Sequence, residues 1–249
     1  VFNWLLWGYG IPALSFWTAG YLLRKRGDDV PLRIIEAAAI LFTVLLAFMQ
    51  IRHAVYGANI YIADTTLIEF GLQSCVALAM AIGLERLRLR SHSIVHNVAA
   101  ILLTAAAGLI ALLGSLGLEN PMIWFIDVGG LFINKLLLAY ALPAMLMLIL
   151  SYVIAGRRPR PYVNAVAAGA LVMALAYISF EIRRFYHGPV IRLGGIGDAE
   201  QYTYSIAWLA FGVALLAAGV MLNSQRARLA SAVVIALTVL KAFLVDMSE

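Results

Sequence analysis

The chain has 249 residues, of which 63% are hydrophobic and only 12% charged, and its mean hydropathy is +0.92. A soluble domain carries about 25% charged residues, and a chain as apolar as this one could not cover its surface with polar groups in water. A soluble globular protein is therefore excluded. The net charge of +5 does not indicate a nucleic-acid partner, because the Lys and Arg residues fall in short turns between apolar stretches.

About eight apolar stretches are long enough, or nearly so, to cross a hydrocarbon layer of about 30 Å, which takes about 20 helical residues. Their hydrophobic runs are continuous rather than alternating, which predicts helices, because lipid offers no partner to unpaired backbone groups. The predicted spans, in chain order, are 4–23, 33–53, 66–84, 94–117, 132–155, 163–184, 201–222 and 229–246. The predicted fold class is all-α, a polytopic transmembrane helical bundle.

The turns between the predicted spans alternate in charge. Basic residues collect after the first, third, fifth and seventh spans, at 24–26, 86–90, 157–160 and 226–228. Acidic residues occupy the intervening loops: Asp64, Glu69, Glu119, Asp127, Asp198 and Glu200. By the positive-inside rule the arginine-rich turns are cytoplasmic, so both ends of this chain are expected on the periplasmic side. An outer N-terminus without a visible signal peptide fits a fragment of a longer chain.

The chain matches itself when it is shifted by 131 residues. The aligned pairs include Asn3 with Asn134, Tyr9 with Tyr140, Pro12 with Pro143, Gln50 with Glu181, Arg52 with Arg183, and Glu69 with Glu200. Apolar composition alone would not align so many polar residues and prolines, so we predict two tandem four-helix repeats, 1–131 and 132–249. Four spans is an even number, so both repeats should enter the membrane in the same direction.

Several motifs resemble a known family. They are Asn134-x5-Tyr140-x2-Pro143-Ala144, Glu181-Ile182-Arg183 with Gly188, Tyr204-Ser205-x2-Trp208, and the segment 237–246 with Lys241 and Asp246. Together they resemble the bacterial family of multi-pass membrane proteins called domain of unknown function 2339, over essentially the whole chain and best in its second half. The resemblance implies a bacterial inner membrane and a chain that continues on both sides, and it implies no reaction. The first half departs from it, since 104–114 has no counterpart of the Lys and Asp in the last span.

Charged residues recur at the outer ends of the second and sixth spans and at the start of the spans that follow. In one interpretation Arg52 and Glu69, with Glu181, Arg183 and Glu200, form paired substrate-binding pockets where the arginines receive a carboxylate or phosphate. In the other, each arginine pairs with the glutamate of the next span and pins the loop between them. Repetition in both halves suits either interpretation.

Two tyrosine–proline pairs lie inside the first and fifth spans. Proline removes a helical hydrogen bond and should kink each helix near Tyr9 and Pro12 and near Tyr140 and Pro143. Paired kinks could frame a cavity or gate between the repeats. Proline is also frequent in membrane helices without such a role.

Lys241 and Asp246 lie in the last span or at its outer end. Five residues apart, they do not share a face of an α-helix, so we expect Lys241 to find its partner on another helix. An ion or proton relay is one interpretation, and a structural pair or a snorkelling lysine is the other.

The sequence predicts no metal site and no cofactor. His92 and His96 have the i, i+4 spacing of a metal site, but only Glu85 stands near them to complete it. Glu36 is favourably placed near the N-terminus of the second span, and its register partner is Ala167.

The favoured function is transport or handling of an envelope lipid, glycan or small anionic solute through an outward-facing cavity between the repeats. The alternative is a non-catalytic subunit that assembles a membrane protein complex. An enzyme is disfavoured, because we find no acid/base constellation, phosphate loop or nucleophile elbow. The expected partners are membrane lipids and other membrane proteins, and no nucleic acid is expected.

Overall fold

The computed structural model describes residues 3–25, 27–57 and 59–246; Arg26, in the first arginine-rich turn, lies outside them. About 80% of the described residues are helical, which confirms the all-α class. The helices are α1 (Ile11–Leu23), α2 (Val30–Tyr56), α3 (Leu67–Ser91), α4 (Ile94–Leu109), α5 (Pro121–Trp124), α6 (Leu142–Ile154), α7 (Arg160–His187), α8 (Asp198–Met221) and α9 (Gln225–Lys241). Segments of π-helix precede α1 and α6 and follow α4 and α9: Leu6–Gly10, Leu137–Ala141, Ile110–Leu118 and Ala242–Asp246.

Seven helices in the described chain are long and apolar enough to cross a membrane. They are Val30–Tyr56, Leu67–Ser91, Ile94–Trp124, Leu137–Ile154, Arg160–His187, Asp198–Met221 and Gln225–Leu244. The predicted first span is also helical over 6–23, but it is not among the seven, because its Trp, Tyr and Gly residues make it less apolar. It packs along α2, where Trp17 donates from Nε1 to Oγ1 of Thr43 at 3.0 Å. A crossing by this helix stays a prediction.

Local irregularities recur at a spacing of 131 residues. The π-helical turns Leu6–Gly10 and Leu137–Ala141 stand immediately before the helices that contain Pro12 and Pro143. His92 and Asn223 both have left-handed backbone angles, with φ of 54° and 47°. Each is followed by a serine that caps the next helix, Ser93 for α4 and Ser224 for α9. A tandem repeat predicts such matches; the repeat and its boundary at 131/132 remain our interpretation.

The kinks predicted at the prolines stay a prediction, but a π-helical turn stands directly before each helix that contains one of these prolines. A proline ring clashes with the carbonyl group four residues earlier in an α-helix. A π-helical turn widens the helix by one residue at that point. Pro143 is buried directly after its π-helical turn, so the irregularity lies inside the bundle.

The seam between the halves is formed by α3 against α6 and the π-helical turn before it. A methyl group added at Gly71 would lie 2.8 Å from Cα of Ala139 and 2.9 Å from the carbonyl oxygen of Leu138. Small residues permit this close approach of two backbones, as is common between membrane helices. Further along α3, Ala77 and Ala81 are fully buried. The described seam is therefore closely packed.

Candidate functional site

The C-terminal end of α7 meets the start of α8 in a buried polar network. Arg183 is 1% exposed and Glu200 is 2% exposed. Arg183 donates from Nη1 to both carboxylate oxygens of Glu200, at 2.8 and 3.0 Å. Its Nε and Nη2 donate to the carbonyl oxygen of Arg192, and Nη2 also donates to that of Gly194. A guanidinium carries five N–H donors, so these contacts use all of them and fix the loop before α8.

Glu200 has two further partners. His187 contacts its Oε2 through Nε2 at 2.8 Å, and the hydroxyl of Tyr204 donates to its Oε1 at 3.2 Å. Glu200 also lies in the first turn of α8, where the helix dipole favours a negative charge. The carboxylate is thus stabilised by Arg183, His187, Tyr204 and the N-terminus of α8, and its charge is neutralised by Arg183.

The first half repeats the central contact of this network. Arg52 donates from Nη1 to Oε1 of Glu69 at 2.8 Å and from Nε to the carbonyl oxygen of Ile60 at 2.7 Å. Its Nη2 donates to the carbonyl oxygen of Ile62, and its guanidinium lies 5.0 Å from the ring centroid of Tyr56. Both arginines therefore pair with the glutamate of the next span and bind the intervening loop. This geometry favours the loop-pinning interpretation for the two arginines.

Glu181 is placed in a different contact from the one that we expected. Its Oε1 accepts a hydrogen bond from Nδ2 of Asn134 at 2.5 Å. In the first half, Asn3 and Gln50 form two reciprocal hydrogen bonds at 3.1 and 3.0 Å. The polar pair thus joins the start of the first helix of each half to the C-terminal part of the second helix. Sequence alignment had matched these residues without predicting that they meet.

A cavity of about 440 Å³ opens beside the Glu200 network, lined by His187, Pro189, Val190 and Arg192. The connector between the halves lies against this loop. The amide of Val128 donates to the carbonyl oxygen of Pro189 at 2.8 Å, and Nε of Arg184 donates to that of Gly129, also at 2.8 Å. The cavity therefore lies where the connector meets the loop between α7 and α8.

Arg192 is the cavity residue that sequence reasoning missed. It is exposed, and its guanidinium lies 5.8 Å from the ring centroid of Phe125 in the connector. It takes part in none of the ion pairs found among the described residues. The sequence could have pointed to Arg192, because it is a basic residue in one of the loops that otherwise carry the acidic residues.

The tyrosines of the expected gate are held differently in the two halves. Tyr140 is fully buried; its hydroxyl donates to the carbonyl oxygen of Ser115 at 2.6 Å, and its ring centroid lies 4.9 Å from that of Phe180. Tyr9 is only partly buried, and its ring lies 6.4 Å from that of Phe42. Tyr140 is therefore fixed by packing, and gating by these residues stays a prediction.

Lys241 and Asp246 form the direct pair that we judged to be poor, and that prediction was wrong. Nζ of Lys241 lies 2.6 Å from Oδ1 of Asp246. The cause is the π-helix Ala242–Asp246, whose hydrogen bonds join residues five apart and so bring the two side chains to one face. Lys241 also donates to the carbonyl oxygen of Gln201 and to Oγ of Ser205 on α8. Its three N–H donors are then all used, which favours a structural pair over a relay.

A second buried cluster links the halves on the arginine-rich side. Glu85, which is 2% exposed, accepts from Nε of Arg88 at 2.7 Å and from Nη2 of Arg158 at 2.6 Å. Arg158 comes from the turn between α6 and α7, so its contact with α3 crosses the seam. We had assigned these arginines to topology alone. Among the described residues there is no group of three or more His, Cys, Asp or Glu that could hold a metal.

The comparisons with known proteins agree with this architecture. A family model described as "Predicted membrane protein (DUF2339)" matches residues 1–249. No curated protein and no solved structure matches the chain. The full-length match, taken with the apolar helices, establishes that the chain belongs to the DUF2339 family of predicted membrane proteins.

Proposed function

We propose that this integral membrane protein binds an anionic group of an envelope lipid, glycan or small solute on its outer side, as the binding step of transport or handling. The observation that carries the proposal is the 440 Å³ cavity lined in part by His187 and Arg192. Small-molecule sites typically occupy about 300–1,000 Å³, so this volume suffices for a headgroup.

The charges around the cavity favour an anion. Arg192 presents a planar fork of donors, which matches a carboxylate or phosphate. Glu200 contacts the cavity residue His187, but it is buried and neutralised by Arg183. Asp127 pairs through its backbone with the cavity residue Val190, and its Oδ1 accepts from the amide of Gly129. The site therefore differs from our expectation. Arg183 holds the loop, and Arg192 is the residue that would receive the ligand.

The proposed location follows from the distribution of charge. The turns rich in arginine would face the cytoplasm of a bacterial inner membrane, and the cavity would open to the periplasm. A periplasmic cavity is accessible to envelope lipids and glycans as well as to solutes. This orientation is what makes an envelope ligand the fitting class.

The test uses the protein in phosphatidylcholine nanodiscs, titrated calorimetrically with dihexanoyl phosphatidic acid and separately with inorganic pyrophosphate. Arg192→Ala should weaken binding by about tenfold or more, because a hydrogen bond to a charged group contributes about 1.5–3 kcal/mol. The control is Arg226→Ala, which removes the same charge from an exposed position in the opposite turn. Equal binding by both variants and the wild type would contradict the proposal. Pyrophosphate binding alone would favour a solute, and phosphatidic acid binding alone a lipid.

A second candidate function is a non-catalytic subunit of a membrane protein complex. The observation in its favour is the close seam at Gly71, which leaves no room for a side chain between α3 and the π-helical turn before α6. The connector also exposes large apolar side chains, among them Trp124, Phe132 and Ile133, which could contact a partner in the membrane. Copurification of one stoichiometric membrane protein, lost in a Phe132→Ser and Ile133→Ser double variant, would support this function over the first.

A further inference from the structure

A second cavity, of about 190 Å³, lies at the opposite end of the first half, where α1 and α2 meet the N-terminus of α4. Its walls include the aromatic side chains of Phe16, Trp17 and Tyr21, and its polar end is formed by Arg24, Glu36 and His96. An apolar slot that ends in a few polar groups has the usual lining of a small-ligand site. Its volume is below the usual range of about 300–1,000 Å³, so it suits one part of a ligand rather than a whole ligand.

Glu36 has its hydrogen-bonding capacity largely filled. It is 3% exposed, Nη2 of Arg24 pairs with its Oε1, and the hydroxyl of Ser93 donates to its Oε2 at 2.5 Å. The carboxylate is thus neutralised within the protein. A cationic ligand would have to displace Arg24 to reach it.

His96 has one ring nitrogen without a partner. The side chain is 1% exposed, and Nδ1 contacts Oγ of Ser91 at 2.7 Å. Nε2 has no hydrogen-bond partner among the described residues, and Oε2 of Glu36 lies 3.9 Å away, too far for a direct bond. The neighbouring carboxylate favours the tautomer with a proton on Nε2, since a lone pair there would face negative charge. His96 lines the cavity, so a buried N–H donor without an acceptor lies at its polar end.

The second half lacks this cluster. The positions that correspond to Arg24, Glu36 and His96 at the spacing of 131 are Ala155, Ala167 and Ala227. The pairs that pin the outer loops, in contrast, are present in both halves. The four-helix arrangement therefore does not require this cluster in both halves.

We propose that this cavity binds an uncharged carbonyl group carried on an apolar body, with the carbonyl oxygen accepting from Nε2 of His96. The paired Arg24 and Glu36 carry no net charge together, so the polar end favours neither an anion nor a cation. The apolar body lies against Trp17 and the other aromatic walls. Two membrane molecules have this chemistry: the head ring of a prenylquinone and the ester linkage of a diacyl lipid.

The quinone arm titrates the protein in nanodiscs with decylubiquinone and follows tryptophan fluorescence, because Trp17 forms part of the cavity wall. The wild type should show saturable quenching. His96→Leu should weaken the apparent affinity about tenfold, the loss of one hydrogen bond, and His96→Gln, which keeps an N–H donor at similar reach, should retain it. Trp17→Phe should remove most of the saturable signal. The matched control is His53→Leu at the other end of α2, which should bind as the wild type does.

The lipid arm measures, by native mass spectrometry, which diacyl lipids stay bound to the wild type and to His96→Leu. Lipid retention that depends on His96, without quinone binding, would assign the site to an ester carbonyl. If His96→Leu does not fold, the quinone assignment is tested with His96→Gln and Trp17→Phe instead. Saturable quenching that persists unchanged in Trp17→Phe would overturn the quinone assignment. If neither quinone quenching nor lipid retention responds to a folded variant at His96, the proposal fails. Arg192→Ala should change neither measurement, so this result is independent of the anion site.

Discussion

Arg183 directs all five of its N–H donors to Glu200 and to the backbone carbonyls of Arg192 and Gly194, in a site where it is 1% exposed. The arginine is therefore a buried cross-link between α7, α8 and the loop that joins them. Its position holds Arg192 and His187 at the cavity without exposing the guanidinium to it. The stabilising role of Arg183 and the binding role that we propose for Arg192 can be separated by mutation.

Arg183→Ala should destabilise the protein by about 3–5 kcal/mol, because it leaves the carboxylate of Glu200 buried without its main partner. The measurement is reversible unfolding in mixed micelles, compared with Arg192→Ala, which should change stability by less than about 0.5 kcal/mol as an exposed substitution. The double variant Arg183→Ala/Glu200→Gln should lose less than the two single changes added together. If Arg183→Ala unfolds at the same midpoint as the wild type, Arg183 does not cross-link α7 and α8.

Gly71→Ala and Gly83→Ala make the same change at two points of α3 with different surroundings. At Gly71 the added methyl group meets backbone atoms of Ala139 and Leu138, whereas at Gly83 nothing lies within 4 Å. We expect Gly71→Ala to cost about 1–3 kcal/mol through overpacking, and Gly83→Ala to stabilise by about 0.4–1 kcal/mol through the unfolded state. Equal unfolding midpoints for Gly71→Ala and Gly83→Ala in detergent would contradict the close approach of α3 to the π-helical turn before α6.

The pairs Asn3–Gln50 and Asn134–Glu181 predict opposite effects for reciprocal substitutions. Oε2 of Glu181 is buried without a hydrogen-bond partner in the described structure, while the amide of Gln50 makes two hydrogen bonds. Glu181→Gln should stabilise by about 1 kcal/mol, since it permits a second hydrogen bond. Gln50→Glu should destabilise by a similar amount. Thermal unfolding of both variants provides the check, and a loss of stability in Glu181→Gln would refute the analogy between the pairs.

The helices were predictable because lipid imposes one rule on every segment: about 20 apolar residues without unpaired backbone. The predicted span 94–117 corresponds to helix from 94 to 118, and 201–222 to Asp198–Met221. The π-helical segments were not predictable in this way. Their hydrogen bonds depend on packing that no local pattern encodes, and the pairing of Lys241 with Asp246 was misjudged for that reason.

The candidate sites show a different limit. Alignment of the halves located Arg52, Glu69, Arg183 and Glu200, because a shared spacing keeps charged residues in register. It could not find Glu36 with His96, since that cluster has no second copy and joins residues 60 apart in number. The arginine-rich turns misled us in another way. The topology rule explains why a basic residue stays on one side, but not which buried carboxylate it meets.

Single cysteines can establish the orientation, because Cys75 is buried and can be replaced by alanine to give a silent background. In intact cells, Tyr61→Cys and Leu193→Cys should react with an impermeant maleimide, since both positions are exposed in loops that we expect on the periplasmic side. Lys25→Cys and Arg157→Cys should react only after the membrane is permeabilised. Labelling of Lys25→Cys and Arg157→Cys from opposite sides would disprove the parallel arrangement of the halves.

Asp246 should make the end of the last helix sensitive to acid. It lies beyond Leu244, where the last span ends, and the hydrogen bond from Lys241, followed by that from Ser205, holds the pKa of its carboxyl below the ordinary value. A group with a lowered pKa stabilises the fold above its ordinary pKa, about 4, and that stabilisation is lost as the pH falls through the folded-state value. Hydrogen exchange at the amides of Ala242–Asp246 should therefore accelerate as the pH falls below about 4, after correction for the intrinsic exchange rate.

In Asp246→Asn, hydrogen exchange at these amides should be fast at every pH. In Lys241→Met the loss of protection should move to higher pH, because without the ammonium group the carboxyl titrates closer to its ordinary pKa. The same acid midpoint in the wild type and Lys241→Met would mean that the lysine does not set the ionisation of Asp246.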